Sequence, residues 1–306
     1  MKIINEKEFH IDEPTVVAIG KFDGIHLGHV ELIKHMLEAK TKLGCKSAVF
    51  TFNMSAASFF AGKDIKEITT ISEKRVIFDS LGIDYLVEFP LDNETAGILP
   101  EDFIKAIMKD MMNMKYIVAG EDVSYGKYGK GDADLLMKLS ESLDYRVEII
   151  DKVKYDLKDI SSTYVRDEIT LGHMDMVTKL LGHPYSFAGV VESGHKLGRT
   201  LGFPTMNLYP DEAKILPPMG VYYSEVLFEG ATYPGLTNIG VRPTVSNDNC
   251  VSVETYLYDF DMDMYGKEII TRILDFKRPE MKFDSKEALK AQMEIDLSEG
   301  RKYHRL

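Results

Sequence analysis

Thr15-Val16-Val17-Ala18-Ile19-Gly20-Lys21-Phe22-Asp23-Gly24-Ile25-His26-Leu27-Gly28-His29 joins a short apolar run to a glycine-broken turn and the start of a helix. Thr15–Gly20 is β-rich and apolar without alternation, as expected of a parallel strand covered on both faces. From His26 to about Lys42, Val30, Ile33 and Leu37 recur at helical spacing. Further along, the alternation repeats. Strands are expected at Lys46–Phe52, Asp84–Phe89, Tyr116–Gly120 and Tyr145–Asp151. Helices are expected at Ser72–Leu81 with Ser72 as N-cap, at Pro100–Asn113 and at Asp132–Ser142. Such alternation implies an α/β unit with a parallel, Rossmann-like sheet, which takes ligands at the C-terminal ends of its strands.

Two short helices, Ser162–Thr170 and Met174–Leu181, precede a change of pattern at Gly182-His183-Pro184. From Tyr185 to about Lys277 the chain reads as short β-rich runs separated by turns, among them Gly220–Phe228, Val251–Phe260 and Ile269–Phe276. Such a succession predicts a small antiparallel β-barrel. An amphipathic C-terminal helix, Ser285–Glu299, follows, with Leu289, Met293 and Leu297 on one stripe. The expected domains are 1–183 and 184–306, and 306 residues suit two domains.

Composition excludes several function classes. A net charge of −12 argues against a nucleic-acid partner, which calls for a basic face. The two cysteines, Cys45 and Cys250, are far apart and form no C-x-x-C pair, so neither a disulfide framework nor a cysteine metal site is expected. No apolar run is long enough to span a membrane, and the charged Met1–His10 does not read as a secretory leader. A cytoplasmic protein acting on small molecules is expected, with at most weak self-association.

Three stretches carry chemistry. In the first, His26 and His29 share a helix face, and Gly28 between them lets a ligand approach the backbone. Helix N-terminal amides beside two imidazoles suit a polyphosphate; two solvent-facing histidines are the competing reading. The second, Ile160-Ser161-Ser162-Thr163-Tyr164-Val165-Arg166, offers hydroxyls and a guanidinium to phosphate, or simply a capped helix. The third runs Gly194-His195-Lys196-Leu197-Gly198-Arg199-Thr200-Leu201-Gly202-Phe203-Pro204-Thr205-Met206-Asn207. Its glycines can wrap phosphates, and Thr205 and Asn207 offer hard oxygen ligands suited to Mg²⁺. A turn between barrel strands is the plainer alternative. On the run Val251–Leu257, Glu254 falls opposite the face that carries Val251, Val253 and Leu257, so nothing forces it into the aliphatic core.

The H-x-G-H and I-S-S-T-x-x-R elements resemble the nucleotidylyltransferase superfamily. With the Gly120-Glu121-Asp122 loop, G-R-x-L-G-F-P-T-x-N and V-E-T in this order, nearly the whole chain resembles the prokaryotic bifunctional riboflavin kinase/FMN adenylyltransferases, also called FAD synthetases. The resemblance implies two sites. In the first, ATP would be held by Gly20, Phe22, Gly24, His26, Gly28, His29, Ser161, Ser162, Thr163 and Arg166, and the flavin by Asp122 and Tyr125. In the second, Gly194, Lys196, Gly198, Gly202, Thr205 and Asn207 would hold ATP with Mg²⁺. There Glu254 would be the catalytic base, and Arg278 and Phe283 would face the flavin. Riboflavin would be the substrate, and FMN and FAD the products. Thr237-Asn238-Ile239-Gly240 also matches a family segment and reads as framing the second site.

The kinase half departs little from the family pattern, with Leu197 where a basic residue is common and Met206 where alanine is; the N-terminal half departs at three places. Lys21 stands where asparagine is usual. Thr51-Phe52-Asn53-Met54-Ser55-Ala56-Ala57 stands where the family reads T-F-x-P-H-P, and Val123 stands where an aromatic is usual. Two other readings follow: a kinase whose N-terminal domain is only a scaffold, and a non-enzymatic flavin-binding regulator. An aminoacyl-tRNA synthetase, which shares H-x-G-H, lacks support because no K-M-S-K-S-type loop occurs.

Overall fold

The computed structural model describes residues 1–192, 202–243 and 249–306. It divides into two compact units, Met1–Ser162 and Thr163–Leu306. This division comes earlier than the expected 183/184 boundary. The apolar stripe Met174, Val177, Leu180 and Leu181 of the helix Met174–Leu181 is buried, and that helix packs on strands of the second unit.

The first unit is a six-stranded, all-parallel sheet. In chain order its strands are β1 (Lys2–Ile4), β2 (Thr15–Ile19), β3 (Lys46–Phe52), β4 (Tyr85–Phe89), β5 (Met114–Gly120) and β6 (Arg146–Ile150). They lie in the order β1-β4-β3-β2-β5-β6. On β2, Val16 and Ala18 enter one core with Phe22, Ile33, Met36 and Phe78, while Val17 and Ile19 enter the other with Phe50, Phe103 and Ile107. Burial on both faces is why these runs are continuous rather than alternating. The chain leaves β2 through α1 (Leu27–Leu43) toward β3, and β5 lies on the other side of β2. The crevice between the ends of β2 and β5 is therefore the point where strand order reverses, the favoured ligand position in such sheets.

Several local details differ from the sequence reading. The N-cap of α3 (Ile71–Ser80), after the short α2 (Ala56–Ala61), is Thr70, not Ser72: Thr70 Oγ1 accepts from Glu73 N while Glu73 accepts from Thr70 N. The helix expected over 100–113 begins as α4 (Pro100–Asp102) and then widens to a π-helix, Phe103–Met111, with Met112 N bonded to Ile107 O. α5 (Ala133–Ser140) follows. A small hairpin, β7 (Lys154–Tyr155) and β8 (Lys158–Asp159), leads into α6 (Ser162–Leu171) and α7 (Met174–Leu181).

The second unit carries an antiparallel sheet of β9 (Tyr185–Val190), β10 (Met206–Leu208), β11 (Gly220–Phe228), β12 (Ala231–Pro243), β13 (Asn249–Leu257) and β14 (Glu268–Pro279). The order is β10-β13-β12-β11-β14-β9, and the sheet curls until its edges meet at one antiparallel bridge, Glu192–Asn207. Register shifts between β11 and β14 help it bend. Small hydrogen-bonded side chains, Ser224, Thr237 and Thr255, fill part of its interior. The C-terminal helix α8 (Lys286–His304) is capped by Ser285.

Candidate active sites

The turn after β2 is held in a strained shape. Phe22 and Ile25 have φ of 50° and 41°, in the left-handed region that branched and bulky residues avoid. Its surroundings hold it there. The Asp23 carboxylate accepts from Ile68 N at 2.7 Å, and Ser162 Oγ donates to Asp23 O at 2.7 Å. The Phe22 side chain is wholly buried against Phe78 and against the His29 ring, whose centroid lies 5.1 Å away. Such strain typically marks a loop shaped for a ligand.

His26 caps α1, and its ring stacks on His29 with centroids 3.9 Å apart. A Cβ on Gly28 would come within 3.1 Å of the His26 ring, which explains the glycine of H-x-G-H. Burial pushes His26 down to about 4, against the pull of Asp23 and Asp122. It pushes His29 well below its ordinary value, and the neighbouring His26 and Lys74 add to that. Both rings are therefore neutral at pH 7. Among the described residues four buried side-chain polar atoms lack a hydrogen-bond partner, and three of them, His26 Nδ1, His29 Nδ1 and Tyr125 OH, belong to residues lining one crevice. Orphaned buried donors are costly and call for an explanation, and a bound ligand is one.

That crevice, about 250 Å³, is lined by Gly20, His26, Gly28, His29, Asp122, Tyr125, Ser161 and Ser162. Eight of the residues expected at the first site are thus brought together. Phe22 and Gly24 instead support the turn from beneath, and Thr163 and Arg166 lie on α6 in the second unit. The rim adds Lys21, and Lys152 paired with Asp122 at 3.4 Å. Val123 lines the crevice without an aromatic ring, but Phe52 and Phe103 supply apolar walls that the sequence reading missed. Phe52 ends β3; Phe103 opens the π-helix, which no periodicity argument anticipates. Asn53–Ala57 does not line the crevice: Asn53 Oδ1 accepts from Leu91 N, and Ser55 caps α2.

In the second unit, β13 places Glu254 in register with Asn207 of β10 on one side and Asn238 of β12 on the other. Ser252 Oγ donates to Glu254 Oε1 at 3.2 Å. A cavity of about 550 Å³ is lined by Thr205, Glu254, Arg278 and Phe283, with Leu289, Met293 and Leu297 of α8 as an apolar wall. Asn207 is buried, and Gly202 has φ of +92°, open to glycine and strained for other residues. Gly194, Lys196 and Gly198 lie outside the described residues. Arg278 is tied to Asp296 of α8, with Nη2 2.6 Å from Oδ2 and Nε 3.1 and 3.0 Å from the two oxygens. Asp296 was not legible as a site residue: on the sequence it is one acid on a charged helix.

A FAD synthetase family model matches residues 8–164, and a riboflavin kinase family model matches residues 181–304. The bifunctional riboflavin kinase/FMN adenylyltransferase of Listeria monocytogenes is 34% identical over 294 residues, covering 95% of this chain and 93% of that one. Its counterpart in Escherichia coli K12 is 33% identical over 293 residues, covering 95% and 93%. The chain belongs to the bifunctional riboflavin kinase/FMN adenylyltransferase family. Both of the family's domains are present: the crevice lies within the FAD synthetase match and the cavity within the riboflavin kinase match. A solved structure from Streptococcus pneumoniae, described as a macrolide-efflux protein, is 30% identical with a TM-score of 0.86, covering 98% of this chain and 99% of that one. That description is of that protein. Among the described residues here, no helix is long and apolar enough to cross a membrane.

Proposed function

We propose that the chain makes FAD in two steps, phosphorylating riboflavin with ATP in the second unit and adenylylating FMN in the first. The observation that carries the kinase step is Glu254 between Asn207 and Asn238 at the wall of a largely apolar cavity. There Glu254 accepts the proton of the ribityl hydroxyl as its oxygen attacks the γ-phosphorus of ATP and ADP leaves. Thr205 and Asn207 would hold the Mg²⁺ that accompanies ATP. No group of three or more His, Cys, Asp or Glu among the described residues forms a metal cage, and neutral oxygens suit an ion that takes its other ligands from phosphates and water. When bound, that ion neutralises phosphate charge.

The adenylyl step needs no base. A phosphate oxygen of FMN attacks the α-phosphorus of ATP, the bond to the bridging oxygen breaks, and pyrophosphate leaves. His26 and His29 donate through their unpartnered Nδ1 atoms to the phosphates, beside the first amides of α1. Lys21 supplies positive charge at the rim in place of the histidine that Asn53–Ala57 lacks. Ser161 and Ser162 complete the phosphate contacts, and Asp122 and Tyr125 face the flavin. In this reading residues 1–183 carry adenylyl transfer and 184–306 phosphorylation, in a cytoplasmic enzyme without a nucleic-acid partner.

The test is to incubate the full chain with riboflavin, ATP and Mg²⁺ and separate the flavins over time. FMN followed by FAD is expected. FMN that never becomes FAD would reduce the first unit to a scaffold, and the absence of both would leave only a flavin-binding role.

A further inference from the structure

The flavin cavity is bounded by an ion-pair cluster that the phosphoryl transfer does not use. Asp296 is 2% exposed, on α8. It accepts from Arg278 through three short contacts, from Gln292 at 3.0 Å, and lies 3.2 Å from Lys277 Nζ. Lys277 also pairs with Glu299, and the remaining Arg278 donor reaches Pro279 O at 2.9 Å. Burial raises the Asp296 carboxyl, but the bonds from Arg278 and Gln292 outweigh it and keep the group below the usual carboxylate range.

The charge balance at the cavity follows from this. Among the described lining residues, Glu254, Glu280 and Asp296 oppose Arg278 and Lys282, so the wall carries no surplus of positive charge. Buried charge is screened far less than charge at the rim, so Asp296 weighs most. Riboflavin has no net charge and is indifferent to this balance, whereas FMN carries a phosphate dianion.

We infer that Asp296 is a specificity-determining residue: by cancelling, together with Glu299, the charge of Arg278 at the cavity wall and of Lys277 beside it, it keeps the kinase site selective for the uncharged flavin over its phosphorylated product. This rests on the reading of the cavity as the riboflavin site. The carboxylate also keeps Arg278 occupied, so the guanidinium is not available to clamp the new phosphate bidentately. Without Asp296, Lys277 would keep only Glu299 and Arg278 would stand uncompensated at the cavity, an added positive charge that holds FMN in place.

The experiment uses the full chain with Asp296→Asn, which keeps the shape and an acceptor oxygen while removing the charge. Riboflavin KM and the inhibition constant of added FMN are measured in the kinase reaction at low salt and at 0.5 M salt. The FMN constant divided by the riboflavin KM is expected to fall about tenfold, with the fall shrinking at high salt. The double variant with Lys277→Gln should return the ratio toward wild type. A ratio that stays fixed, or the same fall at both salt concentrations, overturns the inference and points to packing alone. If Asp296→Asn does not fold, Lys277→Gln by itself should raise the ratio several-fold, and no change there overturns the inference equally. A wild-type chain that binds riboflavin but forms no FMN defeats the reading of the cavity first, and this inference with it.

Discussion

The crevice of the first unit lies within the FAD synthetase match and the cavity of the second within the riboflavin kinase match, and they are built in opposite ways. In the crevice, two imidazoles lie stacked, neutral and without partners for Nδ1, on a loop that keeps Phe22 and Ile25 at positive φ. At the cavity, Arg278 and the neighbouring Lys277 are already paired with carboxylates, and Glu254 is in register between Asn207 and Asn238. Transfer of an adenylyl group to a phosphate that is already an anion asks only for positioning and charge neutralisation, so the donors are left open for the ligand. Transfer to a hydroxyl asks for a base and for a pocket that accepts a neutral molecule, so charge is balanced beforehand.

The comparison breaks most visibly at its catalytic ends. Glu254→Gln should lower FMN formation by about 10²- to 10⁴-fold, the range for loss of a general base. FAD formation from supplied FMN should continue, and chromatography of the flavins reads both. A joint loss would mean the two sites are not separate. His29→Ala should act in the opposite sense, lowering FAD formation about 10²-fold or more by removing a preorganised donor, with riboflavin phosphorylation retained.

A smaller effect sharpens the electrostatic half of the contrast. His26 titrates at about 4 in the folded chain, against an ordinary value of 6.5. Between these values the unfolded chain binds more protons, so stability falls as pH drops through the window, by up to about 3 kcal/mol for this group. A phosphate ligand favours the charged imidazole, so ATP should bind the first site with proton uptake and should lessen the acid loss. Calorimetry in buffers of different ionisation heat measures the uptake; none at pH 6 would mean that the imidazoles stay uncharged and meet the phosphates only as neutral donors. The smallest effect is at the hairpin between Val153 and Ile160. Asp156 and Leu157 take φ of 45° and 69°, and Leu157 is 95% exposed. Leu157→Gly should stabilise the chain by about 0.5–1 kcal/mol, read by thermal melting, because glycine adopts this turn without strain.

Legibility followed the range of the interactions. Lys46–Phe52, Met174–Leu181 and Gly220–Phe228 fell where the sequence placed them, because each pattern reports its own burial: a continuous run, a helical stripe and a largely alternating face. β1 escaped notice because it has only three residues, of which Ile4 alone is buried. Ser72 was a chemically sound N-cap, but Thr70, two residues earlier, is matched to Glu73 and closes a capping box. For the site, H-x-G-H and the strand that carries Glu254 were readable as local spacing. The aromatic wall of Phe52 and Phe103 was not, since a π-helix sets the direction of one and the end of a strand that of the other.

By itself, the sequence determined the division into an alternating α/β half and a β-rich half, the glycine that admits a ligand between two histidines, and the strand face that frees Glu254 from the aliphatic core. These are properties of backbone period and side-chain size, which act over a few residues. Only the tertiary structure decided that His26 and His29 are neutral, that Asn207 and Asn238 flank Glu254, and that Asp296 engages Arg278. Desolvation and ion pairing depend on which distant residues share a space, and no local pattern encodes that.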